Sequence, residues 1–106
     1  MNQQPTFSII TITYNAERWL ERTILSVLSQ SYPNIEYILI DGASKDKTVE
    51  IIKQYESGIA SWISEPDKGL YDAMNKGVKL VSGDIIGLIN ADDILATPNA
   101  FQIIVD

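Results

Sequence analysis

The feature that most constrains this fold is a regular alternation between runs rich in β-branched residues and segments with helical spacing. Four runs are predicted strands, at residues 7–13, 35–40, 61–64 and 85–89. The segments between them carry apolar residues at helical spacing, namely Leu20, Ile24, Val27 and Leu28, then Val49, Ile52 and Tyr55, then Leu70, Met74, Val78 and Val81. Strands that alternate with helices pair in parallel through right-handed crossovers. The sequence therefore predicts an α/β fold with three layers, α/β/α, around a mainly parallel sheet.

Polar clusters follow all four predicted strands. They are Thr13-Tyr14-Asn15, Asp41-Gly42, Glu65-Pro66-Asp67-Lys68-Gly69 and Asn90-Ala91-Asp92-Asp93. In a parallel sheet the carboxyl ends of the strands share one edge, and open α/β sheets bind their ligands there. An edge with several acids and a single lysine is better suited to an anionic ligand bridged by a cation than to a bare anion.

The fourth strand leads directly into two adjacent acids, Asp92 and Asp93. Its nearly continuous apolar run predicts a strand that is buried on both faces. The two acids allow two interpretations, because Asp commonly ends strands and starts turns, whereas paired carboxylates also bind hard divalent cations. Asn15 and Asp46 are predicted helix caps, because the side-chain oxygens of Asn and Asp accept hydrogen bonds from the free amides at the start of a helix.

Composition excludes several classes of chemistry. The chain has no histidine and no cysteine. It therefore cannot supply a catalytic Ser-His or Cys-His pair, a disulfide or a typical zinc site. A net charge of −6 argues against binding of nucleic acid. No apolar run approaches the roughly 20 residues of a membrane span, and no signal peptide is predicted. These observations fit a cytosolic protein.

The 106-residue chain is predicted to be part of a longer domain. Thr97 and Pro98 predict the start of a fourth helix, whose apolar face contains Phe101, Ile104 and Val105. The chain stops after little more than two turns of that helix. We therefore expect an N-terminal part, residues 1–106, of something longer.

Five motifs, in this order along the chain, closely resemble the N-terminal half of the family 2 inverting glycosyltransferases. They are Ile12-Thr13-Tyr14-Asn15-Ala16-Glu17, Ser26-Val27-Leu28-Ser29-Gln30-Ser31-Tyr32-Pro33, Ile40-Asp41-Gly42-Ala43-Ser44-Lys45-Asp46-Lys47-Thr48, Asp67-Lys68-Gly69 with Ala73-Met74-Asn75-Lys76-Gly77, and Gly83-Asp84 leading to Asn90-Ala91-Asp92-Asp93. The resemblance implies the Rossmann-like GT-A fold, which binds nucleotide sugars, here truncated after its donor-binding part.

The resemblance also implies roles for individual residues. Thr13, Tyr14, Asn15 and Glu17 are expected at the nucleotide, where Asp41 would hydrogen-bond the base, typically uracil. Lys68, Gly69 and Asn75 would shape the pocket beside the nucleotide. Asp92 would be the first ligand and Asp93 the second ligand of Mg²⁺ or Mn²⁺, at the family's D-x-D motif. Two positions depart from the family: Asn90 replaces the first acid, and Met74 stands where many relatives have arginine.

The reaction that the resemblance implies is transfer of a sugar, with inversion, from a nucleotide sugar to an acceptor hydroxyl. The donor would be a UDP-sugar, the acceptor a glycan or a lipid-linked molecule, and the setting surface polysaccharide or glycoconjugate synthesis in a bacterium. The general base lies in the acceptor-binding half of such enzymes, so this segment alone is expected to bind donor without turnover. Cytoplasmic location, peripheral at the inner membrane face, and a homodimer are compatible with this interpretation.

Two other classes share this scaffold. One is a non-enzymatic nucleotide-binding or interaction module. The other is a phosphoacceptor receiver domain, in which the acidic pair follows the first strand, whereas here that position is occupied by Tyr14 and Asn15.

Overall fold

A computed structural model describes residues 5–90 of the chain. The elements are β1 (Phe7–Thr13), α1 (Leu20–Leu28), β2 (Ile35–Asp41), α2 (Thr48–Gln54), a 3-10 turn at Glu56–Gly58, β3 (Ser61–Ser64), α3 (Leu70–Val78) and β4 (Ile85–Leu88). The strands form one sheet in the order β3-β2-β1-β4, and every neighbouring pair is parallel. The predicted α/β fold with a parallel sheet is therefore confirmed. The predicted fourth helix and the acids Asp92 and Asp93 lie outside the described residues.

The alternation of side chains along β1 separates the two helical layers. Phe7 and Ile9 belong to the core formed with α1 and α2, whereas Ile10 packs with Ile38 and Ala73 in the core beneath α3. Successive side chains of a strand point to opposite faces, so a single strand supplies both cores. Helices thus cover both faces of the sheet, as predicted.

The buried face of α3 differs from the prediction. Ala73 and Gly77 are the buried residues of this helix, whereas Leu70 is 60% exposed and Val78 is 49% exposed. A Cβ atom added at Gly77 would lie 2.9 Å from Cγ2 of Ile10, so the helix approaches the sheet through its smallest residues. Leu70 and Val78 of the predicted stripe are therefore excluded from that close contact, whereas Val81, which follows α3, packs against the same core.

The fourth strand was predicted to be buried on both faces, and this prediction was wrong for the described part of the chain. Within residues 5–90 β4 lies at the edge of the sheet, and Ile86 and Leu88 are 49% and 50% exposed. In this part of the chain α3 packs mainly over β1 and β2.

Two smaller predictions at the ends of helices also need correction. Asn15 does not cap α1, because α1 begins only at Leu20 after a turn, and its N-cap residue, Trp19, makes no side-chain capping bond. The second helix, α2, ends at Gln54, and the 3-10 turn at Glu56–Gly58 follows it. On α1 the predicted apolar residues are buried except for Leu28, which lies exposed against Gly58.

Asp46 bonds the start of α2, although the N-cap residue is Lys47 and not Asp46 as predicted. Its Oδ1 accepts hydrogen bonds from the amide (2.9 Å) and the hydroxyl of Thr48, the first residue of that helix. The side chain thus satisfies an amide that the helix itself leaves unpaired.

A hydrogen-bonded turn fixes the entry into β4 at the opposite, amino end of the sheet. Glu36 of β2 accepts hydrogen bonds from the hydroxyls of Ser8 (2.7 Å) and Ser82 (2.7 Å) and from the Ser82 amide (2.8 Å). These hydrogen bonds lower the pKa of Glu36 below its ordinary value, and the bond from Ser8 has the largest effect. The Gly83 amide donates to the Ser8 hydroxyl (2.9 Å), which brings Gly83 into direct contact with β1.

None of the helices within residues 5–90 is long and apolar enough to cross a bilayer.

Candidate functional site

The site is built around Asp41, the last residue of β2, which is fully buried. Its Oδ2 accepts hydrogen bonds from the Ser44 amide (2.9 Å) and the Ser64 hydroxyl (2.7 Å), and its Oδ1 accepts one from the Ser44 hydroxyl (2.6 Å). Hydrogen bonds to a charged acceptor are stronger than neutral ones. The carboxylate therefore ties the carboxyl end of β3 to the loop that follows β2.

The loop after β1 joins this network through Asn15. The Asn15 amide donates to the Ser44 hydroxyl (2.7 Å), and its side-chain Oδ1 accepts from the Lys45 amide (2.9 Å). Asn15 and Ala43 both have positive φ, 48° and 61°. Such backbone costs a residue with a Cβ roughly 1–2 kcal/mol, and strained backbone is concentrated at functional sites.

Gly42 is the point where three loops meet. Its amide donates to the carbonyl of Thr13 (3.0 Å). A Cβ atom added at Gly42 would lie 2.8 Å from Oδ2 of Asp67 and 3.4 Å from Cδ1 of Tyr14. The absence of a side chain at Gly42 therefore allows the Tyr14 ring and the Asp67 carboxylate to approach the same spot.

A cavity of about 330 Å³ opens at this edge, between the end of β1 and the start of α3. It is lined by Ile12, Thr13, Tyr14, Asp67, Gly69, Leu70 and Ala73. The strand order changes direction at β1, because β2 lies on one side of it and β4 on the other. Open α/β sheets bind ligands at such a switch point, outside the carboxyl ends of the strands.

Thr13 lines the cavity and carries an unusual hydroxyl group. Thr13 is 2% exposed, and its Oγ1 has no hydrogen-bond partner among residues 5–90. Two residues earlier on the same strand, the equally buried Thr11 hydroxyl pairs with the Tyr37 hydroxyl at 2.9 Å. Because buried polar groups are nearly always paired, an unpaired one beside a cavity is suited to a ligand.

The start of α3 forms the other wall. Gly69 has a φ of 114°, which favours glycine, and its amide donates to Oδ1 of Asp67 (3.1 Å). The Lys68 amide donates to Oδ2 of Asp72 (2.9 Å), and this bond, followed by attraction to Lys76, holds the pKa of Asp72 below its ordinary value. An acid in the first turn is also favoured by the helix dipole.

The structure brings together some of the predicted nucleotide-binding residues and separates others from the cavity. Thr13, Tyr14 and Gly69 line it. Asp41 and Asn15 belong to the hydrogen-bond network behind it, while the side chains of Glu17, Lys68 and Asn75 are exposed and do not line it.

Ser44, Ser64 and Leu70 are among the site residues that the sequence analysis did not predict as ligand-binding. Ser64 bonds Asp41 across 23 residues and Ser44 bonds Asn15 across 29, and local patterns do not identify such contacts. Asp67, which also lines the cavity, lay within a polar cluster predicted at the edge of the sheet.

Residues 5–90 contain no group of three or more acidic side chains that could hold a metal ion. The predicted metal ligands, Asp92 and Asp93, follow this part of the chain, so the metal site stays a prediction.

Comparison with known proteins identifies the family. Residues 8–106 match the sequence model described as Glycosyl transferase family 2. An uncharacterized glycosyltransferase of Mycobacterium tuberculosis is 44% identical over 100 residues, which are 93% of this chain and 38% of that protein. The Bacillus subtilis glycosyltransferase TuaG, provisionally named for teichuronic acid biosynthesis, is 37% identical over 95 residues, 87% of this chain and 38% of TuaG. The chain thus spans well under half the length of these relatives.

Solved structures show the same fold. Residues 1–349 of Staphylococcus aureus TarS, in complex with UDP-GlcNAc, match with a TM-score of 0.81 at 23% identity, over 92% of this chain and 29% of TarS. The mannosyltransferase PcManGT of Pyrobaculum calidifontis, in complex with GDP-Man and Mn²⁺, matches with a TM-score of 0.85 at 23% identity, over 98% of this chain and 33% of PcManGT. The fold is therefore the GT-A fold, and the chain belongs to glycosyl transferase family 2.

Proposed function

We propose that the protein containing this chain transfers a sugar from a nucleoside diphosphate sugar to an acceptor hydroxyl with inversion, and that residues 5–90 supply part of the donor site. The observation that carries this proposal is a cavity at the switch point of the sheet. Thr13, one of its lining residues, has a buried hydroxyl without a hydrogen-bond partner within residues 5–90. A cavity of about 330 Å³ lies at the lower end of the size range of small-molecule sites.

Tyr14 is suited to stack on the nucleotide base. Its side chain is 60% exposed, and its ring lies beside Gly42 at the cavity. An exposed aromatic ring on a rigid strand end offers a flat apolar surface to any base. The Thr13 hydroxyl is buried in the ligand-free protein, so it would bond the base or the ribose only after the end of β1 shifts.

Asp41 is proposed to accept a hydrogen bond from the base. Three donors occupy its carboxylate, from Ser44 and Ser64, and a carboxylate has roughly four acceptor positions, so one remains for the imino hydrogen of uracil or guanine. Because Asp41 is fully buried, this contact requires the 42–44 turn to move when nucleotide binds.

The charge of the site calls for a cation. Asp67 lines the cavity and Asp72 lies in the first turn of α3, so a bare diphosphate would meet like charge. Asp92 and Asp93 are the proposed ligands of Mg²⁺ or Mn²⁺, and the Mn²⁺ bound with GDP-Man in PcManGT supports that choice. When bound, the ion supplies positive charge beside the leaving diphosphate. The general base lies outside this chain, so the segment alone would bind donor without turning it over.

The wider setting follows from the relatives. TarS binds UDP-GlcNAc, which supports a UDP-sugar as donor. The name of TuaG supports a role in surface polysaccharide synthesis, with a glycan or lipid-linked acceptor on the cytoplasmic side.

The experiment that tests the proposal is calorimetric titration of the full-length protein with UDP and with GDP, each with and without Mn²⁺. We expect binding that Mn²⁺ strengthens and that Asp92→Ala weakens. Glu50→Ala is the matched control, because it removes one negative charge at an exposed position of α2. A folded full-length protein that binds neither nucleotide refutes the donor site. A protein that binds nucleotide but releases none from a panel of nucleotide sugars and acceptors would instead be a non-enzymatic nucleotide-binding module.

A further inference from the structure

Lys76 of α3 makes three contacts, two of them with the 65–69 loop, which is the segment between β3 and α3. Its Nζ donates a hydrogen bond to the carbonyl of Pro66 (2.9 Å) and lies 3.2 Å from Oε1 of Glu65 and 3.4 Å from Oδ2 of Asp72. The Lys76 side chain is only 19% exposed, whereas lysine is usually solvated. One ammonium group therefore contacts the start of the loop and the first turn of the following helix.

Asp72 extends these contacts to the end of the loop. The same Oδ2 atom that faces Lys76 accepts the hydrogen bond from the Lys68 amide at 2.9 Å. Next to it, the Gly69 amide donates to Oδ1 of Asp67 at 3.1 Å. Lys76 thus holds Glu65 and Pro66 directly and Lys68 through Asp72, so that Asp67 and Gly69 lie between fixed points.

Those intervening residues are the ones that face the cavity. Asp67 and Gly69 line it, and Oδ2 of Asp67 lies against Gly42. Lys76 itself does not line the cavity, so it can act only by holding the loop.

The charges support a persistent contact. Partial burial opposes the charge of Lys76, but a hydrogen bond to Glu65 and attraction to Asp72 and Glu65 outweigh it, so the Lys76 pKa lies above its ordinary value. The ammonium also offsets the repulsion among Glu65, Asp67 and Asp72, the three acids around the loop. An isolated pair of charges four residues apart on a helix contributes little, but here the ammonium also donates to a backbone carbonyl, which fixes the path of the chain.

We propose that Lys76 is a positioning residue for nucleotide binding: it holds the 65–69 loop against α3 so that Asp67 and Gly69 keep the shape of the cavity. This inference rests on the proposed function. In this role Lys76 acts through the 65–69 loop and does not contact the ligand itself.

The test compares Lys76→Met with Lys79→Met in the full-length protein. Lys79 is an exposed lysine at the C-terminal end of the same helix, so both variants remove one positive charge. Hydrogen exchange measures the loop without any ligand, and we expect the Lys68 and Gly69 amides to exchange faster in Lys76→Met than in the control. Calorimetry with UDP or GDP and Mn²⁺ is expected to give about three- to tenfold weaker binding in Lys76→Met only. Lys76→Arg, which keeps the charge and can reach both carboxylates, should restore part of the affinity.

The outcomes separate this inference from the proposed function. If the wild-type protein binds nucleotide and Lys76→Met binds it equally well, Lys76 is not a positioning residue and the donor site stands. Faster exchange throughout α3 with a lower Tm, rather than at residues 68 and 69, would show a general stabilising role and overturn the inference. If the wild-type protein binds neither nucleotide, the proposed function fails, and the role of Lys76 in nucleotide binding fails with it. If hydrogen exchange at residues 68 and 69 is the same in Lys76→Met as in the control, Lys76 does not hold the loop.

Discussion

The Thr13 hydroxyl provides the sharpest prediction, because removing it should stabilise the protein and weaken ligand binding at once. Thr13→Val replaces a buried hydroxyl, which has no partner within residues 5–90, with a methyl group of nearly the same size. A buried donor or acceptor without a partner costs about 1–3 kcal/mol. We therefore expect Thr13→Val to raise the free energy of unfolding of the ligand-free protein by about 1 kcal/mol, since some of that cost is relieved by local relaxation. In a protein of about 150–250 residues this corresponds to a rise in Tm of about 2–4 °C.

The effect on ligand binding should have the opposite sign. If the hydroxyl bonds the nucleotide, Thr13→Val removes a hydrogen bond that contributes about 0.5–1.5 kcal/mol. That loss corresponds to about two- to thirteenfold weaker binding. Calorimetry with nucleotide and Mn²⁺ measures it, and thermal unfolding of the same preparation measures the stability.

Thr11→Val is the matched control, two residues earlier on the same strand. Its hydroxyl pairs with that of Tyr37, so this variant leaves the Tyr37 hydroxyl unpaired inside the protein. We expect it to destabilise the fold by about 1–3 kcal/mol and to leave nucleotide binding unchanged. The same substitution should thus have opposite effects on stability at the two positions.

Two results would contradict this reasoning. If Thr13→Val destabilises the ligand-free protein as Thr11→Val does, the Thr13 hydroxyl has a structural partner. If Thr13→Val stabilises the protein but leaves the nucleotide Kd unchanged, the hydroxyl does not contact the ligand.

Three further predictions concern stability and binding. Burial raises the pKa of Tyr37 from an ordinary 10 to about 12, and the hydrogen bond to Thr11 opposes this shift only in part. The folded protein therefore holds the Tyr37 proton more tightly than the unfolded chain does. The stability that results is complete below pH 10 and is lost as the pH rises to 12. Between these limits the wild-type protein should lose up to about 3 kcal/mol, and urea unfolding across this pH range should show a flatter decline in Tyr37→Phe. Gly83→Ala should destabilise the protein by about 2–3 kcal/mol in urea unfolding, because the new Cβ would lie 2.4 Å from Oγ of Ser8; no change would contradict that contact. Tyr14→Ala should weaken nucleotide binding by about 1–3 kcal/mol, whereas Tyr71→Ala, at a tyrosine 82% exposed on α3, should not; equal losses in both variants would exclude stacking on Tyr14.

The strands were predictable because their residues are β-branched and their flanking segments have helical spacing. β1 and β3 have the predicted bounds, and β2 is longer by Asp41 alone. The order of the strands was not predictable in this way. Local patterns do not show on which side of β1 the fourth strand joins the sheet. That choice creates the switch point beside the cavity and puts β4 at the edge of the sheet that residues 5–90 form.

The orientation of α3 shows a second limit of pattern analysis. A stripe defined by large apolar residues assumes that the helix rests on them. Here the contact distance is set by Ala73 and Gly77 against Ile10, and at that distance the larger Leu70 and Val78 do not fit between helix and sheet. Small residues make close helix packing possible, but in sequence they carry no signal of their own that distinguishes a buried face.

The site likewise contains some residues that local sequence patterns predict and others that only tertiary contacts reveal. Tyr14 and Gly69 could be predicted because residues that directly follow strands or precede helices reach the carboxyl edge in any parallel sheet. The surroundings of Asp41 could not, because Ser64 approaches it across 23 residues of sequence. From sequence alone, an acid at a strand end is predicted to bind a ligand. In the structure, however, Asp41 already accepts three hydrogen bonds, whereas the Thr13 hydroxyl makes none within residues 5–90. Counting donors and acceptors, rather than counting acids, therefore identifies Thr13 as the group with most to gain from a ligand, and its substitution as the one to test first.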